Sequence, residues 1–239
     1  MPFGLSAGAV SSNDSTRAQP RKGERTRSAV IGAALEFASR VGIEGLTIGA
    51  LAERMGMSKS GVIAHFGSRE SLQLAVVERY AEEFIDEVLR PALEAPRGLP
   101  RLQDILERWL TRLAREIELG CLMISGATEY DDRPGPLHDA MVRVIDGWKG
   151  ELRRAIEQAK EAGHLAADAD ADQVVFEIYG LMLMLHQDSR LMHSPAAAGH
   201  ARAGLSRLID AARRPASLAT DTPFAGAAPA TERRHPAVR

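Results

Sequence analysis

Placed on a helix over residues 58–66, Lys59, Ser60, Ile63 and Ala64 turn to one side, while Val62 and Phe66, four residues apart, turn to the other. A cation, a hydroxyl and two compact apolar groups on one outward face suit the edges of base pairs. The cation fits a guanine edge or a phosphate, the hydroxyl fits either groove partner, and the apolar groups fit a thymine methyl. No carboxylate lies between Met55 and Arg69, so a polyanion can approach this face closely. The chemistry available here is recognition rather than bond making.

Two short helices must position that face. Thr47 can cap the first, in which Ile48, Leu51, Ala52 and Met55 recur at helical spacing. Gly56 ends it where a positive φ is cheap, Met57 supplies an apolar pin in the turn, and Ser58 can cap the second helix. Two helices joined by so short a Gly-containing turn define a helix-turn-helix.

Charge is distributed unevenly. The formal net charge is −2, yet residues 21–69 hold eight Lys or Arg against four Glu, a net of +4, and residues 70–239 hold 21 against 27 Asp or Glu, a net of −6. A basic head on an acidic body implies a polyanion at one end only. Arg21, Lys22, Arg25 and Arg27 cluster ahead of the expected first helix, where a flexible basic arm would reach phosphates or a minor groove.

The first 90 or so residues resemble the TetR family of transcriptional repressors. The resemblance rests on Ala33-Ala34-Leu35-Glu36-Phe37-Ala38 running to Val41-Gly42, then Gly45-Leu46-Thr47-Ile48, Leu51-Ala52, Met55 to Gly61, and Ala64-His65-Phe66-Gly67-Ser68-Arg69-Glu70-Ser71-Leu72. It implies that Thr47 and His65 touch the DNA backbone, that Arg69 grips a phosphate and that Lys59 and Ser60 lie against bases. The DNA-facing set expected on motif and resemblance together is Thr47, Ser58, Lys59, Ser60, Gly61, Ile63, Ala64, His65 and Arg69, with the four basic residues of the arm. One departure stands out: Ile63 occupies a place where the family usually has an aromatic residue able to hydrogen-bond a phosphate.

At 239 residues the chain can bury a sizeable core. Its best apolar run, Ile178 to Leu185, falls far short of the roughly 20 residues a spanning helix needs. The first 20 residues lack a signal-peptide core, which makes the cytoplasm the default location. The lone cysteine, Cys121, excludes an internal disulfide.

Helical periodicity continues beyond the head without a strand signal. Helices are expected from Ser68 to about Leu93, over 101–119, from Cys121 to about Tyr130, and over 137–162, 170–191 and 195–213. The expected fold is all-α: a three-helix DNA-binding head over 21–84, joined by a long fourth helix to a larger ligand-binding and dimerisation bundle over 85–214. Residues 1–20 and 215–239 are expected to be disordered. The segment 121–136 also resembles a ligand-domain subgroup of TetR-like repressors.

Trp109, Met123, Tyr130, Trp148, Phe176, Tyr179 and Met182, drawn from several helices, are candidates to line an apolar cavity for a lipophilic or aromatic molecule; any one of them serves equally well as core. Val175, Ile178, Leu181, Leu205 and Leu208 form a candidate twofold interface. No catalytic constellation, cofactor cradle or metal-ligand spacing is present, the seven-residue spacing of His186, His193 and His200 being interrupted by Ser194-Pro195. The chain reads as a dimeric, sequence-specific DNA-binding regulator, a repressor released from a palindromic operator in double-stranded DNA by a small apolar inducer. Two alternatives stay open: a ligand-independent architectural DNA binder, and an all-helical carrier or enzyme with a vestigial head.

Overall fold

A computed structural model of the chain describes residues 22–213 and 215, and among them every regular element is helical. The segments 1–20 and 216–239, expected to be disordered, lie outside the described residues. The head consists of α1 (Lys22–Val41), α2 (Ile48–Met55) and α3 (Lys59–Phe66), followed by α4 (Arg69–Phe84). Their cores meet around Val30, Ala34, Leu46, Leu51, Val62 and Leu72, all fully buried.

Side-chain caps set the helix starts. Thr47 Oγ1 accepts the Ala50 N–H at 3.1 Å, Ser58 Oγ the Gly61 N–H at 3.1 Å, and Ser68 Oγ the Ser71 N–H at 3.0 Å. Each occupies one of the four donors a helix leaves unpaired at its start, worth about 1 kcal/mol. Gly56 stops α2 in the left-handed region at φ 62°, where its N–H bonds back into the helix. This short stop is what sets α3 across α2.

The body contains α5 (Arg90–Ala92), α6 (Leu99–Leu119), α7 (Leu122–Tyr130), α8 (Pro136–Glu161), α9 (Ala171–Arg190) and α10 (Ala197–Ala212). The expected helix from Ser68 to Leu93 follows one helical path, but Ile85–Leu89 form a π-helical turn within it. Pro91 accounts for this turn. It has no N–H for the Glu87 carbonyl and its ring crowds that carbonyl, so the preceding turn widens and the Arg90 N–H reaches the Ile85 carbonyl, five residues back. The inserted residue keeps Phe84, Ile85, Val88 and Leu89 all buried.

Of the basic cluster ahead of the head, the described residues stand on a helix and not on a flexible arm. Helix α1 already begins at Lys22, so Lys22, Arg25 and Arg27 lie within its first turns, while Arg21 lies outside the described residues. A helical start at Lys22 lets the Arg27 guanidinium lie 5.0 Å above the Phe66 ring, which ties α1 to α3.

Head and body touch at Gly120, between α6 and α7. Gly120 has φ 101°, and a Cβ built there would overlap the Ser39 carbonyl oxygen of α1. Both its conformation and its contact demand glycine. Gly120→Ala is expected to destabilise the chain by about 2–4 kcal/mol, read from the urea midpoint at constant m-value.

Candidate nucleic-acid interface and the cavity behind it

Helix α3 has one buried and one open side. Val62 and Phe66 enter the head core, whereas Lys59, Ser60, Ile63 and Ala64 are exposed. Ile63, 45% exposed, is a large apolar side chain in solvent in the middle of that face. Lys59 runs past Gly49 of α2, where an added Cβ would stand 3.2 Å from the lysine Cε, so the small residue gives the lysine its lane. Ser58 spends its oxygen on the cap and pairs with the Ser60 hydroxyl at 3.1 Å. Gly61 donates to that cap, Thr47 is exposed at the start of α2, and His65 is half-buried, edge-on to Phe66.

Arg69 has work inside the protein. Its Nε donates to the Leu46 carbonyl at 2.9 Å, its Nη2 donates to the Glu44 carbonyl, and the Glu44 carboxylate lies 3.4 Å away. The side chain remains 39% exposed. It therefore braces the 42–46 loop that leads into α2, a role the family resemblance did not imply.

Three more side chains hold the same loop. Gln73 of α4, buried, donates to the Ile43 carbonyl at 2.7 Å. From α7, the Glu129 carboxylate accepts the Glu44 N–H at 2.9 Å and the Tyr130 hydroxyl donates to the Glu44 carboxylate at 2.8 Å. That hydroxyl bond, aided by Arg69 and Arg133 and opposed by slight desolvation, holds the Glu44 carboxyl below its ordinary pKa. Burial, with Glu44 beside it, pushes the Tyr130 phenol up to about 12.

Behind the head, Trp109, Met123, Trp148, Tyr179 and Met182 line one small cavity of about 40 Å³. Tyr80 and Phe84 of α4 and Cys121 belong to its wall, which aliphatic side chains of α6, α7, α8 and α9 close. The sequence marks Tyr80 and Phe84 only as core positions of a long helix, because no local pattern shows which stretch of a core stripe faces a void. The aromatic rings pack edge to face: Phe84 to Trp148 at 4.6 Å between centroids, and Trp109 to Trp148 at 4.9 Å.

Two expected cavity residues lie elsewhere. Tyr130 sits at the far end of α7 and is committed to Glu44. Phe176 is 71% exposed, because the buried side of α9 runs through Val174, Val175, Ile178, Met182 and Leu185. The expected twofold interface needs correction as well. Val175, Ile178, Leu205 and Leu208 are buried within the single chain where α9 packs on α10, and Leu181 fills the space above Gly204. The apolar side of α9 that faces outward carries Phe176 and Met184, with Leu191 just beyond the helix and Leu183 at the border between this side and the cavity.

Beside the cavity lies an ionic chain, buried at Arg112 and Glu116 and open to solvent at Glu87. Arg112 donates from Nε to Glu116 and from Nη1 to Glu87, each at 2.8 Å, and the Tyr80 hydroxyl donates to Glu116 at 3.0 Å. Burial opposes the Arg112 charge, but Tyr80, Glu116 and Glu87 outweigh it and raise its pKa. Burial, with Glu116 beside it, pushes the Cys121 thiol up to about 12. His186 is lowered by burial and by Arg190. Among the described residues, no group of three metal-ligating side chains converges and no helix is long and apolar enough to cross a membrane.

A capped helix-turn-helix ahead of a cavity-bearing helical body defines the class of one-chain transcriptional regulators that carry their own sensing domain. Residues 30–76 match the family model described as bacterial regulatory proteins, tetR family, and residues 98–205 match a tetracyclin repressor-like C-terminal domain. The chain belongs to the TetR family of transcriptional regulators, whose members are not enzymes. No curated protein matches the sequence. Among solved structures, a TetR-family regulator from Chloroflexus aurantiacus J-10-FL is 25% identical, with a TM-score of 0.70 over 80% of this chain and 96% of that one. A TetR-family regulator from Cytophaga hutchinsonii is 19% identical, with a TM-score of 0.70 over 82% and 98%. A putative transcriptional regulator from Saccharomonospora viridis, solved in complex with choline, is 20% identical, with a TM-score of 0.67 over 78% and 96%.

With its pKa near 12, the Cys121 thiol is almost entirely protonated at neutral pH. Alkylation by iodoacetamide at pH 8 is expected to run about a thousandfold slower than for free cysteine, becoming fast once urea unfolds the chain. Rapid native labelling, followed by mass spectrometry, would contradict the buried environment.

Proposed function

We propose that the protein is a dimeric repressor that holds a palindromic DNA site through α3 and is released when a small, predominantly apolar molecule enters the cavity behind α4. The observation that carries the reading is the open face of α3: Lys59, Ser60, Ile63 and Ala64 are presented together, on a helix fixed by caps at both neighbouring starts. In this reading Lys59 and Ser60 meet bases and Ile63 meets a thymine methyl. Thr47, His65, Arg25 and Arg27 lie along the backbone, and Arg69 shares its charge between the 42–46 loop and a phosphate.

The coupling follows from two helices that touch both places. Helix α4 contributes Arg69 and Gln73 to the 42–46 loop at one end and Tyr80 and Phe84 to the cavity at the other. Helix α7 contributes Met123 to the cavity and Glu129 and Tyr130 to the loop. A drug-sized site needs roughly 300 Å³ or more, several times the present volume, so a ligand must spread these walls. Binding the spread form alone gives the differential affinity that shifts an equilibrium, and a ~100-fold weakening of DNA binding takes about 3 kcal/mol of it.

Twofold pairing is assigned to the outward side of α9, where Phe176, Leu183, Met184 and Leu191 are exposed around Gly180, which has open space above it. Two heads then meet two half-sites about one helical turn apart. Phe176→Glu is expected to shift the chain to monomer in sedimentation velocity and to weaken operator binding with the fold retained. An unchanged dimer would move the interface elsewhere.

Selection from a random duplex pool tests the whole reading. A recovered palindrome supports it, and failure to enrich any duplex at low salt overturns it. On the selected site, Lys59→Ala is expected to cost about 1–3 kcal/mol, with a much smaller loss on unrelated DNA.

A further inference from the structure

Trp148 is 4% exposed and lines the cavity, yet its Nε1–H has no hydrogen-bond partner. Its neighbours explain why. Phe84 and Trp109 stand edge to face against it at 4.6 and 4.9 Å, and rings supply no lone-pair oxygen or nitrogen in that place. An indole N–H is a donor only, and left unmade in an apolar setting it costs about 1–3 kcal/mol.

The rest of the wall narrows what would answer that donor. No cation lines the cavity: Arg112 is bound by Glu87 and Glu116, and the Lys149 ammonium, 5.0 Å from the centre of the Tyr179 ring, is not part of the wall. The Glu116 carboxylate is likewise taken, by Arg112 and by the Tyr80 hydroxyl. No free charge of either sign faces the void, so neither an anion nor a cation would find a counter-ion there. Flat aromatic walls remain, with the Tyr179 hydroxyl and the Trp148 N–H, a donor that is closed off at the present volume and comes free as the walls part.

We infer that the cavity selects a neutral, planar aromatic molecule carrying one hydrogen-bond acceptor, such as a ring nitrogen or carbonyl, and that the Trp148 Nε1–H is the group that reads the acceptor. This deepens the ligand-responsive reading above and rests on it. An aromatic box also suits a quaternary ammonium, but a box without a carboxylate at its rim and with Lys149 against one of its rings offers such a cation little.

Quinoline and naphthalene have nearly the same shape and differ at one ring atom, an acceptor in quinoline, which is uncharged at pH 7.5. Their affinities are measured by calorimetry on the full chain and on Trp148→Phe. Naphthalene enters with less desolvation, so the discriminating quantity is the affinity ratio of the two probes and how it changes between proteins. The quinoline-to-naphthalene ratio is expected to fall about tenfold in Trp148→Phe, the worth of one buried hydrogen bond. In the unaltered chain, which has two tryptophans, quinoline should move the Trp148 indole N–H proton downfield in a nitrogen-correlated NMR spectrum while naphthalene leaves it in place. That signal is assigned in the unaltered chain itself, by through-bond correlation from the Trp148 backbone, so a variant that fails to fold leaves the spectrum to decide.

An unchanged ratio, a stationary indole proton, or choline displacing quinoline each overturns the inference. So does failure of both probes to bind. The selected duplex is titrated in parallel: if it binds and the probes do not discriminate, the ligand assignment alone fails, and if it does not bind, the regulator reading fails whatever the probes do.

Discussion

The carbonyls of residues 43–46 are the constraint on which the arrangement of this protein turns. That stretch runs from the end of α1 to the cap of α2 outside any regular helix, so its backbone needs side-chain donors where water is excluded. Arg69 and Gln73 of α4 supply them for Leu46, Glu44 and Ile43, and Glu129 of α7 takes the Glu44 N–H. Thr47 follows directly and sets the start of α2, and α2 sets α3 through the Gly56 turn. The orientation of the proposed reading face is thus fixed by hydrogen bonds that originate in α4 and α7, two of the helices lining the cavity.

Helix α4 is in turn held on two sides. Arg112 lies 4.8 Å from the centre of the Tyr80 ring and 5.4 Å from that of Phe84, while its guanidinium joins Glu87 and Glu116. On the other side Phe84 meets Trp148. Buried ion pairs contribute little net stability against a well-packed apolar alternative, but breaking one costs several kcal/mol, which makes them better at fixing a position than at strengthening a fold. The position fixed here is that of the two α4 aromatics in the cavity wall. The π-helical turn starts at Ile85, immediately after Phe84, so the helix is least regular next to the wall that must move.

How far the sequence carried depended on whether a feature was local. Thr47, Ser58 and Gly56 announce themselves because capping oxygens and positive φ values are requirements of single residues, and the helix spans agree with the periodicity for the same reason. The α3 face was legible too, since Val62 and Phe66 leave one outward side. Faces that depend on which helix lies opposite were not. Val175, Ile178, Leu205 and Leu208 are apolar because α9 packs on α10 within the chain, a partner the α9 stripe does not name, and Phe176, placed in the cavity by residue type, is on the outside. The loop clamp was hidden for a related reason: Glu44 and Tyr130 lie 86 residues apart.

The small present size of the cavity bears on the direction of control. A cavity already matching its ligand could bind it without moving anything, and such a ligand would shift no equilibrium however tightly it bound. A cavity of about 40 Å³, walled by α4, α6, α7, α8 and α9, admits an aromatic molecule only if its walls move, and among those walls α4 carries donors to the 43–46 carbonyls while α7 carries the acceptor of the Glu44 N–H. The collapsed state is then the one in which the head is fully braced. Loosening the brace leaves α2 and α3 intact, because Thr47 and Ser58 cap them locally, but frees their orientation relative to the body. On the proposed function, a ligand alters the placement of α3 and not its fold, which fits release from DNA better than promotion of binding.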